Sequence, residues 1–421
     1  MADHDAIICG AGVAGLTLAR TLLRQGRRVV VLDKQPGVRD VHKGELIQPR
    51  SLQILDSLDV LDDLRGRGAI AAHRLCCRTA DGEEIASLDY RPLPGDFDHC
   101  LVHYYAAIQR VLADGVPVSY GVRVEELLVD SAGRVAGVRL AGGEELRAPL
   151  VAACDGHSSR LRAQAGIETS RHTYGHRLVG YDFAATGLGS DIAAHLTDAG
   201  LRLLFAMPGG RARLYAQIDP EEHRALGRDG HGRDGLVAWT RRMVEAVPAL
   251  APVADAVVAS AADARVMAAW RFNAPRWTRP GLALLGDAAH CVHPMAGQGM
   301  NAAIADAWAL GERLAPLDAL APGAVDAALA AYDAARRPRV DYVARLSHNL
   351  AGLFTDTSWK GRVLARRMLR RNRHNRRLQH IITYNMSGLG VRRFTRRDRF
   401  IQLGLIRDSR SHVLPEVSVD F

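Results

Sequence analysis

The sequence predicts an α/β fold with an inserted mixed-sheet domain and a helical C-terminal tail. Three observations carry that expectation. The chain opens with a β–turn–α–β unit, and a strand–carboxylate–turn–helix unit recurs at 282–314. Between them, strand-like runs separated by charged loops dominate residues 181–264. Beyond residue 340 the apolar spacing is mainly helical.

The first unit is a strand over Asp5–Cys9, then Gly10-Ala11-Gly12-Val13-Ala14-Gly15, then a helix to about Arg24. Gly26 breaks the helix, and Arg28–Leu32 forms a second strand ending at Asp33, with Lys34 next to it as a further cofactor-binding candidate. This is the Rossmann-type dinucleotide fingerprint in the context it requires. Gly10 makes the tight turn, Gly12 admits a pyrophosphate, and Gly15 lets helix and strand pack closely. The first N–H groups of the helix, at Val13 and Ala14, face the phosphates, and Asp33 stands where an acidic residue binds ribose. The same glycine spacing at 230–235 follows the charged run Glu221-Glu222-His223-Arg224 and reads as a loop. A single credible fingerprint leaves no separate Rossmann domain for a nicotinamide nucleotide.

Short strands with turns at 131–133 and 141–143 lead to Leu150–Ala153, which ends in Asp155-Gly156-His157-Ser158-Ser159-Arg160-Leu161-Arg162. Ser159 also suits a helix N-cap. The apolar run 282–285 ends at Gly286-Asp287, and a Gly-rich turn through Pro294, Gly297 and Gly299 starts a helix near Met300 and Asn301. A further helix over Val325–Arg337 stops at Pro338.

The three segments together resemble the FAD-dependent aromatic hydroxylases, the group A flavoprotein monooxygenases typified by para-hydroxybenzoate hydroxylase. The resemblance covers about residues 1–340. It implies a non-covalently held FAD, with Asp287 on the ribityl chain and the stretch Pro294–Asn301 along the isoalloxazine ring. It ties Asp155 to cofactor and NAD(P)H use, and gives Pro294 the shaping of the oxygen-reactive pocket. NAD(P)H would reduce the flavin, and O2 would add to give a hydroperoxide. That species would hydroxylate or epoxidise an aromatic or other electron-rich small molecule. The helix near Met300 would aim its positive end at the ring. Residues 42–51 fit the family's flavin-side loop, where Lys43 or Arg50 would meet a phosphate, and Tyr105 stands where many members carry Arg or Gln. His293 is a candidate acid–base residue, with a structural role as the alternative. Tyr181, Phe183, Phe205 and Tyr215 alternate along the inserted strands, so some line a ligand cavity or simply fill the core. A related reductase of an isoprenoid or quinone-like substrate is the alternative enzyme, and a flavin-binding scaffold the non-enzymatic one. The implied division gives the FAD domain residues 1–73, 98–179 and 266–340, the substrate domain 74–97 and 180–265, and a basic helical tail 341–421.

Composition sets the remaining bounds. The 421 residues are 48% hydrophobic and 24% charged, ordinary for a globular protein. No apolar run approaches the roughly 18–20 residues of a membrane span, and the immediate N-terminal strand leaves no room for a signal peptide. Six cysteines without Cys-x-x-Cys spacing point away from disulfides and metal and toward a reducing cytoplasm. The net charge of +9 is concentrated in arginines at 362–377 and 392–399. No nucleic-acid recognition motif accompanies them. Val363, Leu364, Met368 and Leu369 form the apolar side of a basic helix that either contacts an anionic membrane or presents a solvated face. The oligomeric state is open.

Overall fold

A computed structural model describes residues 4–41, 45–227 and 232–417. Its first layer is a six-stranded sheet. Strand β1 (Ala6–Cys9) leads through α1 (Val13–Arg24) to β2 (Val29–Asp33); β1 pairs in parallel with β2 and with β3 (Leu150–Ala153), and β3 with β4 (Leu282–Leu284). Strands β1, β3 and β4 are buried along their whole length, as their uninterrupted apolar sequence requires of a parallel sheet covered on both faces. All four strands end on the same edge, where α1 and α2 (Gly299–Leu314) begin. A crevice outside the carboxyl ends of the parallel strands, the usual ligand site of such sheets, is thereby formed.

The second layer is an eight-stranded sheet that is antiparallel except for one pair, Ile192–Thr197 alongside Arg74–Thr79. Its period-two alternation sorts the four aromatic residues. Tyr181 and Phe183 point into a core shared with Trp239 and Met243 of the Gly232–Glu245 helix, and Tyr181 shares a 2.9 Å hydrogen bond with Thr240. Phe205 and Tyr215 point the other way, toward the six-stranded sheet's carboxyl edge.

Three expectations about elements change. The strand expected from Gly180 begins at His172 and runs to Ala184. Part of the second glycine pattern, Gly230 and His231, lies outside the described residues; the remainder, from Gly232, starts a helix and not a loop. Leu236, Trp239, Thr240 and Met243 supply its buried stripe. Pro338 does not end its helix: α3 runs unbroken from Pro322 to Thr355. An internal proline costs about 3 kcal/mol, and burial of Val340, Ala344, Leu346 and Ala351 beyond it offsets that cost.

The tail folds as α4 (Trp359–Asn372), then helices over Arg376–Ser387 and Arg396–Gln402. Four of its arginines form intramolecular ion pairs: Arg362 and Arg366 reach Asp198 at 3.1 Å, Arg370 reaches Glu83, and Arg377 joins Asp398 and Asp408. Leu364, Met368 and Leu369 on the apolar side of α4 line a cavity over the eight-stranded sheet. No helix among the described residues is long and apolar enough to cross a membrane, and none of the six cysteines is joined in a disulfide.

Candidate active site

A cavity of about 350 Å3 lies between the two sheets. Gly12, Val13 and Ala14 at the start of α1, Cys154 and Gly156 after β3, and Asp287 after β4 form one wall. The turn before α2 adds Pro294, Met295, Gly297, Gly299 and Met300. The three motifs, far apart in sequence, converge because each follows a strand of one parallel sheet.

The glycines have different reasons. Gly10 has φ +118°, and a Cβ there would lie 2.3 Å from the Cys154 carbonyl oxygen. Gly15 faces the Gly10 carbonyl just as closely, so the fold itself excludes a side chain at either position. At Gly12 a Cβ would meet only the Tyr105 hydroxyl at 3.5 Å, an ordinary contact. The protein leaves room there, on the side where α1 presents its first N–H groups. Tyr105 Oη accepts from Val13 N–H at 3.3 Å, so the residue at this departure from the family pattern still sits on the phosphate-facing turn. Asp33 fixes the same turn from behind, its Oδ2 accepting from Ala11 N–H at 2.7 Å.

Asp155 is buried, which raises its carboxyl above the usual range despite hydrogen bonds from Ser159 and the backbone. Its Oδ2 accepts from Arg160 and Leu161 N–H, while Oδ1 is buried without a protein partner. Ser159 caps the following helix through Arg162 N–H. The Arg162 guanidinium donates to the Ala288 carbonyl at 2.8 Å and ties the middle motif to the Gly-Asp stretch. Gly286 lets α1 and α2 close on each other, with Ala14 and Ala303 against it. Gly297, at φ +59°, makes the left-handed step before α2. Asn301 is spent inside the protein: it accepts from Gln48 N–H and donates to the Leu46 and Gly297 carbonyls, clasping the turn to residues 46–48.

Three expected residues are placed elsewhere, and a fourth falls outside the described residues. Arg50 faces a smaller cavity beside Arg336 and Arg339, and burial followed by those two cations lowers its pKa. Lys34 is exposed beyond Asp33 and does not line the cavity, and Lys43 lies outside the described residues. His293, expected as an acid–base candidate, is fully buried and does not line the cavity. Its Nδ1 accepts from Met295 N–H at 3.1 Å, and its Nε2 meets His176 Nε2 at 2.9 Å. Burial, then His176 and His348, push its pKa down to about 3. The ring is a neutral cap on the turn that carries Pro294. His290, in the same stretch, does not line the cavity; its Nε2 is 2.6 Å from Asp306, which also pairs with Arg336. Burial would raise the Asp306 carboxyl, but His290 and Arg336 together hold it below the ordinary value.

On the opposite wall Phe205 and Tyr215, two of the four aromatic residues expected to supply a ligand cavity, do line it, but the sequence reading missed Glu45 and Arg213. Glu45 lines the cavity yet is 5% exposed, and Tyr215 O–H donates to its Oε1 at 2.8 Å. Arg213 Nε lies 3.7 Å from the same oxygen, and its Nη2 is 3.0 Å from Asp182, which Arg211 also meets. Burial raises the Glu45 carboxyl, with Arg213 opposing; burial and Glu45 push the Tyr215 phenol well up. The signal was the alternation Arg211, Arg213, Tyr215, Gln217 on one face of a strand.

This geometry fits a dinucleotide flavin: an open space over Gly12, helix N-termini without side-chain caps at Gly12 and Gln298, and an unmatched carboxylate oxygen at Asp155. A family model described as an FAD-binding domain matches residues 3–347. The chain belongs to this family of FAD-dependent monooxygenases. It is 31% identical to 6-methylpretetramide 4-monooxygenase of Streptomyces rimosus, over 73% of this chain and 74% of that one. It is 29% identical to para-nitrophenol 4-monooxygenase of Pseudomonas sp. (strain WBC-3), over 73% and 77%. Among solved structures, P. aeruginosa PqsL in complex with 2-aminobenzoylacetate superposes with a TM-score of 0.73, at 29% identity, covering 84% of this chain and 97% of that one. The monooxygenase therefore uses FAD, with NAD(P)H as the co-substrate usual in the family, and acts on a small molecule. These relatives favour oxygen insertion over the reductase alternative.

Proposed function

We propose that this monooxygenase hydroxylates a phenol-like aromatic whose hydroxyl docks on Glu45 and Tyr215. The carrying observation is the buried Glu45–Tyr215 hydrogen bond at the cavity wall, on the sheet facing the Pro294 turn. Bound FAD supplies the electron transfer and oxygen activation. The chain's own part is to hold and orient. Gly12, Val13 and Ala14 would receive the pyrophosphate and Asp33 the ribose. Asp287 would take the ribityl hydroxyls, and Pro294 with residues 297–300 would border the ring. The N-terminus of α2, sixteen residues long, stabilises negative charge there. The turns after the six-stranded sheet would thus serve the cofactor, and the eight-stranded sheet together with Glu45 the substrate.

Glu45 supplies the acid–base step. A substrate hydroxyl donating to the carboxylate can pass its proton to it, leaving a phenolate-like ring richer in electrons at the carbon that gains oxygen. Arg213 is the counter-charge that lets a carboxyl so deeply buried ionise. Tyr215 O–H fixes the carboxylate plane. Replacing Glu45 by Gln should lower product formation about 100-fold, at the lower end for a positioned acid–base group, with FAD content unchanged. The wild-type rate should fall as pH drops through the raised Glu45 pKa, and E45Q should lose that limb. A wild-type rate and pH profile in E45Q would sink the assignment.

A further inference from the structure

A second cavity, of about 360 Å3, adjoins the first, and Leu203 and Met295 line both. Its floor is the eight-stranded sheet at Leu75, Cys77, Leu88 and Ala194. Most of its remaining wall comes from residues 346–402, nearly all of them beyond the stretch 3–347 matched by the family model. The segment beyond the matched stretch therefore builds a chamber beside the flavin site.

The chamber follows from two features already described. Because α3 continues through Pro338, it carries Leu350 and Phe354 out over the sheet. The ion pairs of Arg362, Arg366 and Arg370 with Asp198 and Glu83 then hold α4 across the sheet, with Leu364, Met368 and Leu369 facing the space. Side chains in a core at ordinary density interdigitate without leaving a space this large, and the volume falls in the roughly 300–1,000 Å3 range of small-molecule sites. Among the described residues the charged ones that line it are Asp356 and Arg399, both exposed. Met295, Met368 and Met386 give the wall adaptable thioethers.

We propose that this chamber takes an extended hydrocarbon substituent of the substrate, passing between Leu203 and Met295 while the reacting ring sits at Glu45 and Tyr215. The inference rests on the phenol reading for the ring and adds the chemistry of the rest of the molecule: a lipophilic, uncharged chain. A purely polar or compact aromatic would leave the tail's apolar wall without a role.

The test titrates FAD-loaded enzyme with 4-ethylphenol, 4-butylphenol and 4-heptylphenol by calorimetry, so that binding is read without turnover. Each added methylene should tighten binding about fourfold, the transfer value for a buried CH2. Met368→Trp and Leu350→Trp, which fill the chamber from two different helices, should each flatten that series while leaving FAD content and 4-ethylphenol affinity as in the wild type. Equal affinity across the series in the wild type overturns the proposal. So does a length dependence that survives intact in both folded, FAD-loaded variants. If the series and the Trp effects hold while E45Q retains full activity, the acid–base reading fails and the chamber stands.

Discussion

The two walls of the active site are built in opposite ways. The flavin-side wall is mostly backbone: turns after β1, β3 and β4, with glycines where a neighbouring carbonyl or a ligand comes close. The substrate-side wall is mostly side chains, with Leu201, Leu203, Phe205 and Tyr215 drawn from adjacent strands and Glu45 from a separate segment. A ligand held by backbone demands fixed residue types at fixed spacing, because the turn geometry is local. A ligand held by side chains demands only shape and polarity, which many sequences provide. The cofactor is thus written as motifs and the substrate is not.

Substitutions at the two walls should differ accordingly. The largest effect belongs to the backbone wall. Gly10→Val places a branched side chain at φ +118° against the Cys154 carbonyl, and should cost more than about 4 kcal/mol. Little folded protein should be recovered, and a variant with wild-type melting and FAD content would contradict the steric account. Next is Asp287→Ala. Loss of hydrogen bonds from hydroxyls to a carboxylate is worth about 1.5–3 kcal/mol, so FAD affinity should weaken roughly 10- to 100-fold with the fold intact. Unchanged affinity on dialysis would remove Asp287 from the cofactor contacts.

A smaller effect tests the turn that joins the walls. Burial, followed by His176 and His348, holds the His293 pKa down to about 3 in the folded chain, against about 6.5 for an unperturbed imidazole. The unfolded chain therefore binds more protons in that window. Its contribution to stability is complete above pH 6.5 and is lost as pH falls toward 3, at about 1.4 kcal/mol per unit. His176, also lowered by burial, adds in the same direction. Melting temperature should fall between pH 7 and 5, and His293→Asn should show a shallower fall. Equal pH slopes in the two proteins would show that the buried imidazole pair does not set acid stability.

The limits of the sequence reading fall along the same line. The Gly10 fingerprint, the Asp155 segment and the Asp287 stretch were legible because strand, turn and helix adjoin in the chain. Arg50 was placed by sequence proximity to the flavin-side loop, but its helix turns it toward Arg336 and Arg339. His293 was singled out for standing beside Pro294, and only its contact with His176, 117 residues away, shows that both ring nitrogens are engaged. Pro338 predicted a helix end from backbone chemistry alone, and burial of the residues after it prevailed.

What the sequence determined by itself is the α/β class, the flavin family and the cofactor's turns, since each depends on steric rules acting within a few residues. The tertiary structure alone decided that Glu45 meets Tyr215 and Arg213, and that the arginine-rich tail closes an apolar chamber over the sheet. Those arrangements are made by burial and pairing between segments more than 150 residues apart, and no local pattern encodes which partner arrives.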